Sequence, residues 1–338
     1  MELTINQLKD TQIINSYNFA RGCDLVFSEI ISLKNYEKFK SKNHNIIFKD
    51  DNHLFYKSSS LNIKNGNTIF SNIDLVEPLF NKLKKTKLEN ITLVTSQTDR
   101  SVSSNLYAKK PKNVSKWYST NVSVKKNDLI PIPYGLSNSY STKNLLKHDF
   151  ELMSNKEKSN LVYLNFEVNT NYFHRSKLKK ILSSQESFSL EKNSLDLLQY
   201  SKNLNTFKYI FCPWGNGFDT HRVWESLYAG GIPIVPEHPT FNSAQNLPVI
   251  TYKNIEKLNF DYVESAEKNL KYNYEDLNID FWFKKIRESS NLNSSSYTET
   301  VVFDDDLEIN KYKRMKKREG RKKIFNTYAR KIHFKLTN

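Results

Sequence analysis

One stretch of this 338-residue chain, residues 207–236, constrains its fold more than any other. It begins with an apolar run at 207–212 that is too short for a helix and rich in aromatic and β-branched residues, which predicts a buried strand. Gly-Asn-Gly follows at 215–217, and then comes a helix that Asp219 or Thr220 can cap. A pair of glycines ends that helix, because glycine adopts the left-handed backbone without strain, and a second strand follows.

A strand, a glycine turn and a helix amino terminus form an anion site in this order, because free N–H groups and the positive end of the helix dipole converge there. Arg222 lies in the first turn of the predicted helix. A cation there opposes the dipole by about 0.3–1 kcal/mol, which indicates a compensating anion such as phosphate. Glu225 lies about one turn further, on the same face. The alternative is an ordinary βαβ unit in which these two residues are merely an ion pair.

The segment from Trp224 to Val235 resembles the E-A-L-x-x-G-x-I-P-V segment of GT-B glycosyltransferases, and the stretch from Cys212 onward resembles the C-terminal half of the exostosin family. The resemblance implies that Glu225 binds the ribose of a nucleotide-sugar donor and that Arg222 faces its diphosphate. It also implies an α/β fold of the GT-B type, with two Rossmann-like domains that face each other across a cleft.

A second arginine has the same placement as Arg222. Arg175 lies in the first turn of a helix predicted at 173–182, directly after a strand predicted at 161–166. Two such arginines in successive βα units indicate a shared phosphate cleft, although a solvated helix face is the alternative for Arg175. The predicted donor-binding residues are Arg175, Gly215, Asn216, Gly217, Asp219, His221, Arg222 and Glu225. Arg222 is also assigned a catalytic role, the stabilisation of the departing diphosphate.

The candidate for the second catalytic role is Asp99. A buried strand predicted at 91–95 opens into a polar loop at 96–100, and open α/β sheets place their ligands at the carboxyl ends of strands. We therefore predict that Asp99 is the base that deprotonates an acceptor hydroxyl. The alternative is a turn aspartate that caps the next helix.

Alternation of predicted strands and helices gives the domain organisation. The first half contains helices predicted at 29–39 and 70–87 from their apolar spacing. It also contains Trp117, Asn121 and the proline-rich stretch 129–136, which extend the exostosin resemblance and predict an edge strand or an extended connector. The predicted ranges are an acceptor domain at 1–140, a polar linker at 141–160, a nucleotide-sugar domain at 161–300 and a basic helical tail at 301–338.

The net charge of +15 is concentrated near the end of the chain. Residues 307–338 hold twelve Lys or Arg against two acids. Within them, 311–335 has rough helical spacing and is expected to lie on an anionic membrane, at about 1 kcal/mol per basic residue near the surface. The alternative is a helix that packs back on the first domain. Nucleic-acid binding is not expected, because the aromatic residues are not arranged with the charges.

No metal or cofactor is expected. Asp304–Asp306 resembles the D-x-D of GT-A glycosyltransferases, but it follows the predicted Rossmann-like units, which is the wrong position for that role. Cys23 and Cys212 cannot form a zinc site by themselves. The sequence lacks the glycine-rich motifs of P-loop ATPases and dinucleotide-binding proteins. It also lacks an apolar run long enough to span a membrane and a secretory signal, so the expected location is cytoplasmic, with peripheral membrane contact through the tail.

These features together predict a metal-independent glycosyltransferase that moves a sugar from a nucleotide-sugar, with UDP or GDP as the nucleotide, to a glycan, a lipid-linked acceptor or a polysaccharide. One alternative is a catalytically inactive glycan-binding or scaffold protein with the same fold. The other is a nucleic-acid-binding protein that acts through the basic tail.

Overall fold

The structure is a computed structural model that describes residues 12–141, 144–146, 150, 158–191, 195–290, 296–303, 309–310, 312–314 and 316–318. Within these ranges the chain is a mixed α/β protein built on two main sheets. Asp304–Asp306 and most of the basic tail, including the larger part of 311–335, lie outside the described residues.

The first sheet, within the described part of the chain, has seven strands in the order β2-β3-β1-β5-β6-β7-β8. The bounds of the first eight strands are β1 Leu25–Ser32, β2 His44–Lys49, β3 His53–Ser58, β4 Ser60–Lys64, β5 Thr68–Asn72, β6 Ile91–Ser96, β7 Val114–Ser119 and β8 Leu129–Pro131. Strands β1, β5, β6, β7 and β8 are mutually parallel, and β3 runs antiparallel to both β1 and β2. The predicted edge strand in the stretch 129–136 is confirmed as β8.

The second sheet, among the described residues, has five strands in the order β10-β9-β11-β12-β13, and all of them are parallel. Their bounds are β9 Ser159–Leu164, β10 Phe188–Leu190, β11 Phe207–Phe211, β12 Ile232–Pro236 and β13 Ile250–Tyr252. The strands predicted at 161–166 and 207–212 are therefore confirmed. Parallel strands need crossover connections, and helices supply them here.

Before the basic tail, the α-helices of the described residues are α1 Ser16–Arg21, α2 Leu33–Tyr36, α3 Val76–Leu83, α4 Ser104–Tyr107, α5 Tyr172–Leu182, α6 Leu197–Thr206, α7 His221–Tyr228, α8 Phe260–Glu267 and α9 Ile279–Ser290. They cover both faces of each main sheet. On the second sheet, Phe211 packs with Leu178 of α5 on one face, whereas Ile210 packs with Leu204 of α6 and Leu227 of α7 on the other. Consecutive strand residues point to opposite faces, so a strand covered on both sides is apolar throughout.

The first sheet is covered in the same way, but by helices from distant parts of the chain. Phe80 of α3 meets Trp117 edge to face, with ring centroids 5.2 Å apart. Helices α1 and α9 cover the other face, where Phe19 and Trp282 pack in one cluster. Strand β14, Thr298–Val302, pairs antiparallel with β4. Helix α9 and three of the five residues of β14 thus belong to the range predicted as the second domain, yet they pack against elements of the first half.

Two helices predicted in the first half are wrong at their beginnings. Glu29 lies fully buried inside β1, and α2 begins only at Leu33. Phe70 lies inside β5, and α3 begins at Val76. Both β1 and β5 are paired on each side, and the hydrogen bonds and burial of a central strand outweigh helical spacing in the sequence.

The first described turns of the basic tail contact the first half of the chain. Residues 312–314 and 316–318 are helical. The Tyr312 ring lies 5.1 Å from that of Phe55, and Lys316 Nζ lies 2.8 Å from the Asp74 carboxylate. Among the described residues, no helix has the length and apolar character that crossing a bilayer requires.

Candidate functional site

A cavity of about 600 Å³ lies where carboxyl ends of parallel strands from both sheets meet. Asp99 and Tyr134 follow β6 and β8 of the first sheet, and Asn165 and Pro213 follow β9 and β11 of the second. The predicted site residues that line it are Asp99, Arg175, Gly215, Asn216, Gly217, His221, Arg222 and Glu225. The structure thus brings together residues from opposite halves of the sequence. The volume is within the range of about 300–1,000 Å³ that is usual for ligand sites.

Arg222 is the cation in this cavity with the greatest capacity for a ligand. It lies in the first turn of α7, whose N-cap residue, Thr220, makes no side-chain capping hydrogen bond. Its Nε donates to the Tyr200 hydroxyl at 3.3 Å. Within the described part of the chain, its Nη atoms make no hydrogen bond and it forms no salt bridge. Its terminal donors therefore stay available at a helix amino terminus.

Glu225 and Arg222 share one face of α7, as their spacing predicts, but they meet through a third residue. The Tyr200 hydroxyl, from α6, donates to Glu225 Oε2 at 2.9 Å and accepts from Arg222. Glu225 is only 3% exposed, although it lines the cavity. Arg222 and Glu225 therefore do not form the direct ion pair that is the alternative interpretation of the sequence. The Tyr200 hydroxyl holds both side chains in position instead.

Arg175 uses its guanidinium to hold the loops that form the cavity wall. Its Nε donates to the Trp214 carbonyl at 2.9 Å, and Nη2 donates to the Pro213 carbonyl at 3.0 Å. Its Nη1 donates to Glu167 O and Thr170 Oγ1, both at 2.7 Å. Burial and the nearby charge of Arg222 lower the pKa of Arg175 to about 10. The solvated alternative is excluded, since Arg175 is only 8% exposed.

The glycine turn is fastened to the first half of the chain through Asn121. Asn121 is fully buried and has a left-handed backbone, with φ of 52°. Its Oδ1 accepts the N–H of Asp219 at 2.8 Å. A Cβ atom on Gly217 would lie 2.9 Å from that same oxygen, so the close approach requires glycine. The turn is also closed on itself, by a 3.0 Å hydrogen bond from Gly215 N to Gly217 O.

Asp219 does not line the cavity, and the prediction that it contacts the donor is not supported by its position. Its side chain is fully buried and accepts from the Tyr134 N–H at 3.0 Å and from Trp224 Nε1 at 2.9 Å. Burial raises the pKa of Asp219 to about 7. The carboxylate accordingly anchors the segment around Tyr134 to the start of α7, because its hydrogen-bonding capacity is directed inward.

His221 lies at the junction of the two halves. Its Nδ1 is 2.8 Å from the carbonyl oxygen of Gly135, and its ring lies 4.5 Å from that of Tyr134. Burial lowers the pKa of His221. Asp99 is exposed and lines the same cavity.

An aromatic stack supports the glycine turn from outside the cavity. The ring of Trp214 lies 4.4 Å from that of Phe218, and the ring of Phe218 lies 3.6 Å from that of His238. The planes are close to parallel, at 26° and 11°. Burial lowers the pKa of His238 to about 4, so the ring stacks as a neutral group at neutral pH.

The sequence did not reveal several residues of the site. Tyr200 sits in an amphipathic helix without a motif, and Tyr134 sits in a proline-rich connector, so neither carries a local signal. Glu167 and Asp196 also line the cavity. A carboxylate that follows a strand, as Glu167 does, is the one signal that could have been used.

A metal centre is not apparent in the described ranges, where no group of three or more His, Cys, Asp or Glu side chains is arranged to hold an ion. Cys212 is buried and its thiol lies 3.6 Å from the Ser226 hydroxyl. Burial raises the pKa of this thiol to about 12, which is typical of an inert buried cysteine.

No family model matches the chain, and no curated protein matches it. The resemblance of the segment 207–236 to glycosyltransferases therefore stays a prediction.

Proposed function

We propose that this protein is a metal-independent glycosyltransferase of the GT-B type, which transfers a sugar from a nucleotide-sugar to a glycan or lipid-linked acceptor. The observation that carries the proposal is the composition of the cavity. Arg222 offers unused donors at the amino end of α7, while Asp99, Glu167, Asp196 and Glu225 line the same space. A nucleotide-sugar requires this combination, because its phosphates accept hydrogen bonds and its many hydroxyls donate them.

The arrangement of the two sheets supports the GT-B part of the proposal. Each sheet contains a parallel portion covered by helices on both faces, and the carboxyl ends of strands from both border one cavity. Ligands of open α/β sheets bind at such ends. In this proposal the first sheet presents the acceptor and the second sheet holds the donor.

The proposed roles follow from the contacts. Arg222 and the amino end of α7 hold the diphosphate, and they stabilise the charge that develops on it as the sugar departs. Glu225, positioned by Tyr200, accepts hydrogen bonds from the ribose hydroxyls. Arg175 keeps the wall of the site in place and adds positive potential. The base that activates the acceptor is either Asp99, as the sequence predicts, or His221.

The proposal is tested first by ligand binding. UDP, GDP and CMP are each added to the wild-type protein and to Arg222→Ala, and the melting temperature is recorded. Binding to the folded state alone stabilises it by about 2.7 kcal/mol at a ligand concentration of 100 Kd. We expect at least one nucleotide to raise the melting temperature of the wild type and to have much less effect on Arg222→Ala. Lys202→Ala, an exposed change on α6, is the matched control.

A panel of nucleotide-sugars then separates an enzyme from an inactive relative. Release of the nucleoside diphosphate supports the proposal. Nucleotide binding without release or transfer, across donors and acceptors, would favour the glycan-binding or scaffold alternative. Failure of all three nucleotides to bind would overturn the proposal itself.

We further propose that the basic segment 311–335 brings the enzyme to an anionic membrane on its cytoplasmic face. The support is its charge, since residues 307–338 carry a net charge of +10 out of the chain's +15. A deletion of residues 319–338 tests this, because it leaves the contacts of Tyr312 and Lys316 intact. The deletion should weaken binding to vesicles that contain phosphatidylserine and leave nucleotide binding unchanged.

A further inference from the structure

A second, smaller cavity adjoins the first one. It has a volume of about 120 Å³, and its walls include the polar side chains of Gln97, Asn138 and Tyr140. Tyr134, Asn144 and His221 line both cavities. These three residues therefore form the boundary between a large space that suits the donor and a small polar space on the side of the first sheet.

The hydrogen bonding of His221 fixes which of its nitrogens carries the proton. A carbonyl oxygen only accepts, so Nδ1, 2.8 Å from Gly135 O, must be the donor. In the neutral imidazole, Nε2 then has a free lone pair. No described residue makes a hydrogen bond to Nε2. His221 is thus held in the tautomer that accepts a proton on the side of the ring away from Gly135.

The surroundings of His221 favour a neutral ring that can gain a proton. Burial lowers its pKa, while the Gly135 carbonyl and the Asp99 carboxylate oppose that shift. Tyr134 faces the ring from the connector after β8, and Asp219 and Arg222 flank it in sequence. The Asp99 charge would stabilise the imidazolium once a proton has arrived.

We propose that His221 is the catalytic base, and that the small cavity receives the part of the acceptor that carries the reacting hydroxyl. The inference rests on the proposed glycosyltransferase function. The acceptor oxygen attacks C1 of the donor sugar, the bond from C1 to the phosphate oxygen breaks, and both of its electrons leave with the nucleoside diphosphate. The hydroxyl proton moves to Nε2 of His221. The product has the inverted anomeric configuration, since this is a single displacement.

Asp99 fits a supporting role better than the role of base. It is exposed and borders the large cavity, but it does not border the small one. His221 borders both, and its tautomer is fixed by a main-chain atom. A base at the boundary can reach a hydroxyl in one cavity while the donor occupies the other.

The decisive comparison is His221→Asn against Asp99→Asn. The asparagine amide can replace the Nδ1 donor to Gly135 but offers nothing in place of Nε2. With the donor that best stabilises the wild type, we expect His221→Asn to lower the turnover of nucleoside diphosphate release by about 10²–10⁴-fold, the usual contribution of a base. Its nucleoside diphosphate Kd should change by less than about threefold, and Asp99→Asn should lose less than about tenfold in turnover.

The pH dependence of kcat/KM separates a catalytic role of His221 from a purely structural one, because a structural role would not change it. Wild-type kcat/KM should fall on the acid side as His221 gains a proton, and His221→Asn should lack this limb. If His221→Asn keeps more than about a tenth of wild-type turnover, the inference is overturned. If His221→Asn does not fold, the wild type alone decides, because a retained anomeric configuration or a missing acid limb also overturns it. Absence of nucleotide binding by the wild type refutes the proposed function and this inference together.

Discussion

Two βα units of the second sheet each place an arginine in the first turn of their helix, yet the two arginines differ in what they can do. In the unit of β9 and α5, Arg175 donates to the Glu167 carbonyl and the Thr170 hydroxyl of its own loop. It also donates to the Pro213 and Trp214 carbonyls in the loop after β11. In the unit of β11 and α7, Arg222 makes a single side-chain hydrogen bond within the described residues, to Tyr200. Equal placement in the sequence therefore gives one arginine that holds the site together and one that is left for a ligand.

The difference arises from the loops and not from the arginines. The segment after β9 folds into a 3₁₀ turn at Val168–Asn171, and this segment offers Arg175 the Glu167 carbonyl and the Thr170 hydroxyl. The segment after β11 directs the Pro213 and Trp214 carbonyls at Arg175, and its glycine turn hydrogen-bonds to itself and to Asn121, so it presents little to Arg222. A buried arginine without a carboxylate partner is costly unless its donors are satisfied, which explains why the loops close around Arg175.

The largest expected effect is the loss of ligand affinity in Arg222→Ala. Two charge-assisted hydrogen bonds to phosphate are at stake, so the Kd for the bound nucleoside diphosphate should rise by about 100-fold, or about 2.7 kcal/mol. Isothermal titration calorimetry measures this directly. The free energy of unfolding should barely change, because the Nη atoms bond to no described residue. An unchanged Kd would show that Arg222 does not bind the ligand, and the proposed difference in role between Arg222 and Arg175 would be wrong.

Arg175→Ala should act mainly on stability. Its removal leaves the carbonyl oxygens of Pro213 and Trp214 without a donor among the described residues, whereas Glu167 O keeps the Thr170 hydroxyl at 3.4 Å. The free energy of unfolding should therefore fall by about 3 kcal/mol. Urea denaturation measures this change. Lys177→Ala, an exposed substitution on the same helix, should cost less than about 0.5 kcal/mol. Equal free energies of unfolding for the two variants would show that the hydrogen bonds of Arg175 do not contribute to stability.

Gly217→Ala tests whether the unit of β11 and α7 depends on its contact with Asn121. The new Cβ would lie 2.9 Å from Asn121 Oδ1, which itself holds Asp219, so we expect a loss of about 1–3 kcal/mol in the free energy of unfolding. Gly215→Ala meets Arg175 Nη2 at 3.2 Å and should cost less. A larger loss of stability in Gly215→Ala than in Gly217→Ala would mean that the loop can shift away from Asn121 more easily than from Arg175.

The smallest expected effect is on the pH dependence of stability, and it comes from His238 in the aromatic stack beside the unit of β11 and α7. His238 has a pKa of about 4 in the folded protein, whereas an unfolded histidine titrates near about 6.5. Between these values the unfolded chain binds more protons, so this residue makes the free energy of unfolding fall as pH falls from about 6.5 to 4. His238→Phe retains a ring against Phe218 and should show a weaker pH dependence in denaturant titrations. An identical pH dependence would rule out this contribution.

The sequence was sufficient for the parts of the fold that are local. The strand, glycine turn and helix of 207–236 form as predicted, and Gly230 has the expected positive φ, 68°. These features follow from backbone sterics and residue spacing over a few positions. The same holds for the strand that leads to Asp99, which is confirmed as β6.

The parts that could not be predicted depend on packing between remote elements. Tyr200 reaches Arg222 and Glu225 only because α6 and α7 lie on the same face of one sheet. Glu29 was assigned to a helix, but it lies in β1 and bonds to Arg21 and Tyr56 across neighbouring elements. Asp219 is predicted to bind the donor, but its buried carboxylate accepts from the Tyr134 N–H and from Trp224 Nε1 instead. Spacing within one segment carries no information about such partners.

The far end of α7 offers a way to observe the site without touching it. The Tyr228 hydroxyl accepts the Ile14 N–H at 2.9 Å and donates to the Leu277 carbonyl at 2.8 Å, so one phenolic oxygen joins three remote stretches of backbone. Arg222 lies in the first turn of the same helix. A tilt of α7 on anion binding would lengthen or shorten these two hydrogen bonds. The rate at which the Ile14 amide exchanges its hydrogen for deuterium would then report whether the anion is bound at Arg222, more than two hundred residues away in the chain.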